Sequence, residues 1–84
     1  MKDIKWNPTK SKRLKQTRGA SFKDILKAKL VDMCNHHNRP EQKVMLFEHK
    51  NYIWVVPYVE TETEIFLKTL YPCRRYTKLY KKEG

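Results

Sequence analysis

Acidic residues are scarce in this chain. Nine Asp and Glu stand against 19 Lys and Arg, leaving a formal net charge of +10. Such an excess says nothing about fold, but it points to anionic partners: nucleic acid, an acidic protein or an anionic membrane. Long hydrophobic runs are missing too. No apolar stretch approaches the ~20 residues needed to span a bilayer. The opening MKDIKWNP has no apolar segment of the signal-peptide kind. These absences argue against a membrane role and lead us to expect a cytoplasmic protein. Cysteine occurs twice, at Cys34 and Cys73, far apart and with no CxxC pair. Free thiols in a reducing setting are the simpler reading. There is no internal repeat and no low-complexity linker. A chain of 84 residues suits one domain, with a core of marginal size.

The charge that is present is uneven. Residues 1–29 carry ten Lys and Arg and only two Asp, whereas ETETE at 60–64 has three Glu and no base. The most distinctive stretch is EIFLKTLYPCRRYTKLYKK at 64–82. Here Lys68, Arg74, Arg75 and Lys78 are interleaved with Phe66, Tyr71, Tyr76 and Tyr80. Cations hold phosphates and aromatic rings stack on bases, so this tail is a candidate RNA grip.

Local signals divide the chain into a helical half and a strand half. Asn7-Pro8 predicts a helix start, an N-cap followed by a proline suited to the first helical position, and Gly19 predicts its end. Ser21 to Asp24 matches a capping box. Phe22, Ile25, Leu26, Ala28, Lys29 and Leu30 then continue as a helical stripe. The polar stretch 34–42, with Pro40, reads as a loop. KVMLFEH (43–49) and YIWVVPYV (52–59) flank Lys50-Asn51 and predict a two-residue hairpin. That register pairs Phe47 with Trp54. It puts Val44, Leu46, Ile53, Val55, Pro57 and Val59 on one face, expected to lie under the helices. Lys43, Met45, Phe47, His49, Tyr52, Trp54, Val56 and Tyr58 go to a second, more open face. A third strand, 64–71, pairs back across the acidic loop. We expect an odd loop with a bulge, so that Lys68 joins the aromatic face instead of entering the core unpaired. A short helix follows over 73–82. The expected class is α+β, with N-terminal helices packed on a three- to four-stranded antiparallel sheet and a short C-terminal helix.

The opening IKWNPTKSKRLKQTRGASFKDIL resembles the start of BrnT-type toxins, through Trp6, Asn7, Pro8, Lys10, Leu14, Lys15, Gly19, Ser21 and Phe22. Arg18 stands where a histidine is common in that family. The tail agrees through Arg74, Arg75 and Thr77, while Pro72 and Tyr76 depart from the pattern. The resemblance covers both ends and the element order. It implies a RelE-like fold and the toxin of a bacterial type II toxin–antitoxin system. Such a toxin cleaves RNA, on or off the ribosome, without a bound cofactor. It also implies a cognate antitoxin carrying a DNA-binding domain.

Metal-independent RNA cleavage needs a base for the ribose 2′-OH, cations for the phosphorane, and a proton for the leaving oxygen. Arg74 is the first candidate for the phosphate, since a guanidinium fork suits it. Arg75 and Lys68 add charge, and Lys68 is a base candidate if neighbouring cations lower its pKa. His49 is an alternative base or acid. Tyr80 is a proton donor or stacking group. Lys43, Trp54, Tyr76 and Lys78 are candidates for RNA binding. Plainer readings stand beside each: a solvated helix face for the tail cations, an edge lysine for Lys68, a surface histidine for His49, and packing for Trp54, Phe47 and Tyr58. Trp6 reads as a packing group. Cys34, His36, His37 and Cys73 have no metal-site spacing, so neither metal nor cofactor is expected. The competing functions are a non-catalytic nucleic-acid binder and a toxin of the same fold acting on another target, such as a topoisomerase.

Overall fold

Residues 2–35 and 42–80 are described in the computed structural model. Along them run β1 (Asp3–Lys5), α1 (Pro8–Arg18), α2 (Phe22–Leu26), β2 (Lys29–Asn35), β3 (Lys43–His49), β4 (Tyr52–Glu60), β5 (Glu64–Leu67), β6 (Tyr71–Pro72) and α3 (Arg74–Tyr80). The strands make one six-stranded sheet in the order β1-β5-β4-β3-β2, with β6 also paired to β4. β1 and β5 run parallel, and the other pairs are antiparallel. The expected α+β class holds. The three- to four-stranded antiparallel sheet is corrected to six strands of mixed direction, because the N-terminal strand returns to pair beside β5. Among the described residues, no helix is long and apolar enough to cross a membrane.

The helix ends follow local chemistry. The Asn7 side chain accepts hydrogen bonds from the N–H groups of Thr9 and Lys10 at 2.9 and 3.1 Å. Gly19 closes α1 in the left-handed region, at φ 93°, and its N–H donates to the Lys15 carbonyl. Ser21 Oγ accepts from the Asp24 N–H, and the Asp24 carboxylate accepts from the Ser21 N–H, completing the capping box. Lys15 Nζ lies 2.7 Å from the same carboxylate. That ammonium, with the Ser21 N–H, holds the Asp24 carboxyl well below the usual range. Ser21→Ala should cost about 1 kcal/mol, measured as a lower urea midpoint with an unchanged m-value.

The second helix is shorter than its stripe suggested. It stops at Leu26, and Lys29–Asn35 is an edge strand on β3. The register Leu30↔Phe47 and Met33↔Met45 shows why. The β3 edge needs a hydrogen-bonding partner, and pairing there outweighs a weak helical stripe. A shift between Leu30 and Asp32 leaves Val31 packed against the cluster around Val44 and Leu46. Of the loop expected at 34–42, Cys34 and Asn35 belong instead to β2. Residues 36–41, with His36, His37 and Pro40, lie outside the described residues.

The hairpin forms as expected. Lys50 and Asn51 take φ 53° and 64°, and Phe47 pairs with Trp54. The sidedness is the reverse of the expectation. Met45, Phe47, Trp54, Val56 and Tyr58 pack with Leu14 of α1 and with Phe22 and Ile25 of α2. Val44, Leu46, Ile53 and Val55 form a second cluster, covered by Tyr71, Cys73 and Tyr76 of the C-terminal segment. The aromatic face is thus the main core because the N-terminal helices lie on it, and α3 lies on the aliphatic face.

The third-strand register is also corrected. Tyr58↔Leu67 and Glu60↔Ile65 put Ile65 and Leu67 with the aromatics, with four residues between the paired Glu60 and Ile65. Lys68 is nevertheless not buried. The strand ends at Leu67, and Lys68 stays exposed with Nζ 5.7 Å from the Phe66 ring centroid.

Candidate nucleic-acid interface

α3 is fastened to the sheet through one residue of β4. The Cys73 N–H donates to the Ile53 carbonyl at 2.9 Å, and the Ile53 N–H donates to Thr77 Oγ1 at 2.9 Å. Thr77 in turn donates its hydroxyl proton to the Cys73 carbonyl at 2.7 Å. Both backbone groups of Ile53 are therefore satisfied by the tail. This fixes the first turn of α3, where Arg74 and Arg75 project into solvent. Neither arginine, nor Lys78, has an ion-pair partner among the described residues. An exposed, unneutralised pair of guanidinium groups on a fixed backbone suits phosphate.

The acidic loop explains why the charge concentrates there. Glu60 accepts from Lys2 at 2.6 Å and pairs with Lys43 at 3.4 Å, while Glu64 pairs with Lys5 at 3.0 Å. The Lys2 ammonium, followed by Lys43, pulls the Glu60 carboxyl below its usual value. Lys43 is thus partly neutralised at the far end of β3 from the hairpin turn. It lines an open hollow of ≈ 530 Å³ with Lys2, Glu60, Thr61 and Glu62.

The other candidate residues fall in several places. His49 lies at the hairpin end of the sheet, the end where Cys73 meets Ile53, but its ring packs on the opposite face. It meets Trp54 edge-on, with ring centroids 5.9 Å apart. Trp54 is only 6% exposed and donates its indole N–H to the His49 carbonyl. It packs in the core, so its role as a base platform is corrected. Tyr76 is half-buried against the second core and meets Tyr80 edge-on at 6.1 Å.

Tyr80 is a tie between α3 and the edge strand. Its hydroxyl donates to Asp32 at 2.8 Å. That bond, more than burial, pushes the phenol up to about 12. The bond also holds Asp32 below its usual value. In this geometry the phenol's proton is engaged by Asp32. The linkage sign follows. A raised pKa means the bond contributes fully below the ordinary value of 10 and is lost as pH rises toward about 12. Raising the pH across that window should loosen the end of α3, seen as faster amide exchange in 74–80 that Tyr80→Phe shows already at neutral pH.

The described residues thus form a mixed sheet covered by α1 and α2 on one face and by the short cationic α3 on the other. A similar fold is seen in the crystal structure of the Brucella abortus ribonuclease toxin BrnT. It matches 87% of this chain and 97% of its own, with a TM-score of 0.56 at 15% identity. The likeness shows the fold, and it bears out the resemblance read from the two ends of the sequence. No protein-family model and no curated protein matches the chain.

Proposed function

We propose that the chain is the toxin of a type II toxin–antitoxin pair and an endoribonuclease acting on mRNA without a metal ion. The observation that carries this is the Arg74–Arg75 step, without an ion-pair partner among the described residues, on a fastened helix in a fold similar to that of a ribonuclease toxin. In the proposed reaction the 2′-OH attacks the adjacent phosphorus and the 5′ oxygen leaves. The proton of the hydroxyl passes to a base, and the leaving oxygen takes up a proton. Arg74 and Arg75 hold the phosphate and neutralise the phosphorane charge. Lys68, exposed beside the segment that leads into α3, is the group proposed to exchange the protons; His49, whose ring packs on the opposite face of the sheet, is left out of the proposed site. Tyr76 and Lys78 extend the grip to neighbouring nucleotides. A cognate antitoxin with a DNA-binding domain completes the pair.

The test is direct. Purified protein with excess chelator should cut an RNA to products ending in a cyclic phosphate, and should leave the same strand intact when its sugars are 2′-deoxy. RNA that stays whole, with and without ribosomes, would sink the reading. Salt-sensitive binding without products would favour a non-catalytic binder.

A further inference from the structure

The cations of α1 and α2 are not part of the α3 surface, because those helices lie on the other face of the sheet. Between those helices is a groove of ≈ 370 Å³, with Trp6 and Pro8 on one side and Lys12, Lys15 and Lys23 among its lining. Trp6 and Pro8 also line a second hollow of ≈ 310 Å³, beside Ile4 and Lys5. Trp6 therefore borders both, and it leans on Phe22 with ring centroids 6.0 Å apart. Volumes of this size lie within the range of about 300–1,000 Å³ typical of ligand sites.

The charge of the groove is lopsided. Its acid, Asp24, already accepts from Lys15 and from the Ser21 N–H. Lys12 and Lys23 are exposed and have no ion-pair partner among the described residues. α1 has no acid in its first turn and continues the cationic surface through Lys10 and Arg13. Only two of its residues, Ser11 and Leu14, are buried. The helix therefore keeps a dense row of cations facing water, with no counter-ions on its own length.

We infer that the α1–α2 groove is a second binding site for single-stranded RNA, in which Lys12 and Lys23 contact phosphates and Trp6 stacks on a base. An aromatic wall between unneutralised lysines is the combination that sequence-tolerant single-strand binding uses. The site rests on RNA being the ligand, as in the proposed function, but not on cleavage.

The experiment uses a short, end-labelled 2′-O-methyl RNA, which binds but cannot be cut. In the Lys12→Glu/Lys23→Glu variant, Kd should rise at least tenfold. The slope of log Kd against log salt should fall by about 1.4, because each lost single-strand phosphate contact removes about 0.7. A Lys27→Glu/Lys29→Glu variant, equal in charge but off the groove, should change Kd less than threefold. RNA should quench the tryptophan emission of the native chain, and Trp6→Phe should abolish that quenching, since Trp54 is buried. Equal losses in the two charge variants, or quenching that survives Trp6→Phe, would overturn the site. So would a polyglutamate peptide that displaces the RNA at equal concentration, which would assign the groove to an acidic protein. Binding that behaves as expected in a protein that cuts no natural RNA would reject the proposed function and keep the groove.

Discussion

Replacing Arg74 by alanine is expected to lower RNA cleavage about 100- to 1,000-fold while leaving the melting temperature nearly unchanged. Arg74 is exposed and has no ion-pair partner among the described residues, so its loss removes no packing. Surface changes of that kind usually move stability by no more than about 0.5 kcal/mol. The anchoring of α3 does not involve its side chain, since Cys73, Thr77 and Ile53 supply those bonds. Arg74→Lys should fall between the two, because an ammonium keeps the charge and loses the two-pronged geometry. Single-turnover cleavage with saturating enzyme isolates the chemical step. An Arg74→Ala protein that cuts at the native rate would remove this residue from the site.

Phe22→Ala is expected to have the largest effect on stability, about 3–5 kcal/mol. Phe22 is fully buried, touches Trp6, and joins α1 and α2 to the aromatic face of the sheet. Its N–H also donates to Ser11 Oγ, the buried hydroxyl of α1. For a chain of this length the whole stability is on the order of 5–10 kcal/mol, so the variant should be partly unfolded at 37 °C. Leu46→Ala, on the face under α3, should cost about 2–4 kcal/mol and strip protection first from the α3 amides. Chemical denaturation of both variants checks the pair. Equal loss of α3 protection in the two would contradict the division into two clusters.

The helix caps and the hairpin were legible because short signals carry them. Asn7-Pro8, Gly19, Ser21–Asp24 and Lys50-Asn51 each act within about four residues, and each is where it was expected. The sidedness of the hairpin was not legible. Residues 53–58, IWVVPY, are buried throughout, because helices cover both faces of the sheet. Alternation between two apolar faces does not say which face receives which helix. β2 was missed for a related reason: its pairing partner, not its own pattern, makes Lys29–Asn35 a strand. β1 was missed because three exposed residues carry no periodicity. Within the site, the Arg74–Arg75 step stood out in the sequence through its charge and setting. The Tyr80–Asp32 tie did not, since it joins residues 48 apart.

That small first strand has a consequence for how the molecule assembles. Asp3, Ile4 and Lys5 pair with Glu64, Ile65 and Phe66, about sixty positions along the chain. The β3–β4 hairpin needs only a two-residue turn and pays almost no loop-closure entropy. β1 has nothing to pair with until β5 is in place beside β4. Its contacts belong late on the folding path, with φ-values near zero. Substitutions at Lys5, which would weaken the Lys5–Glu64 pair, should therefore leave the folding arm of a chevron unmoved. They should instead raise the unfolding rate, making the first strand a latch on the lifetime of the native state.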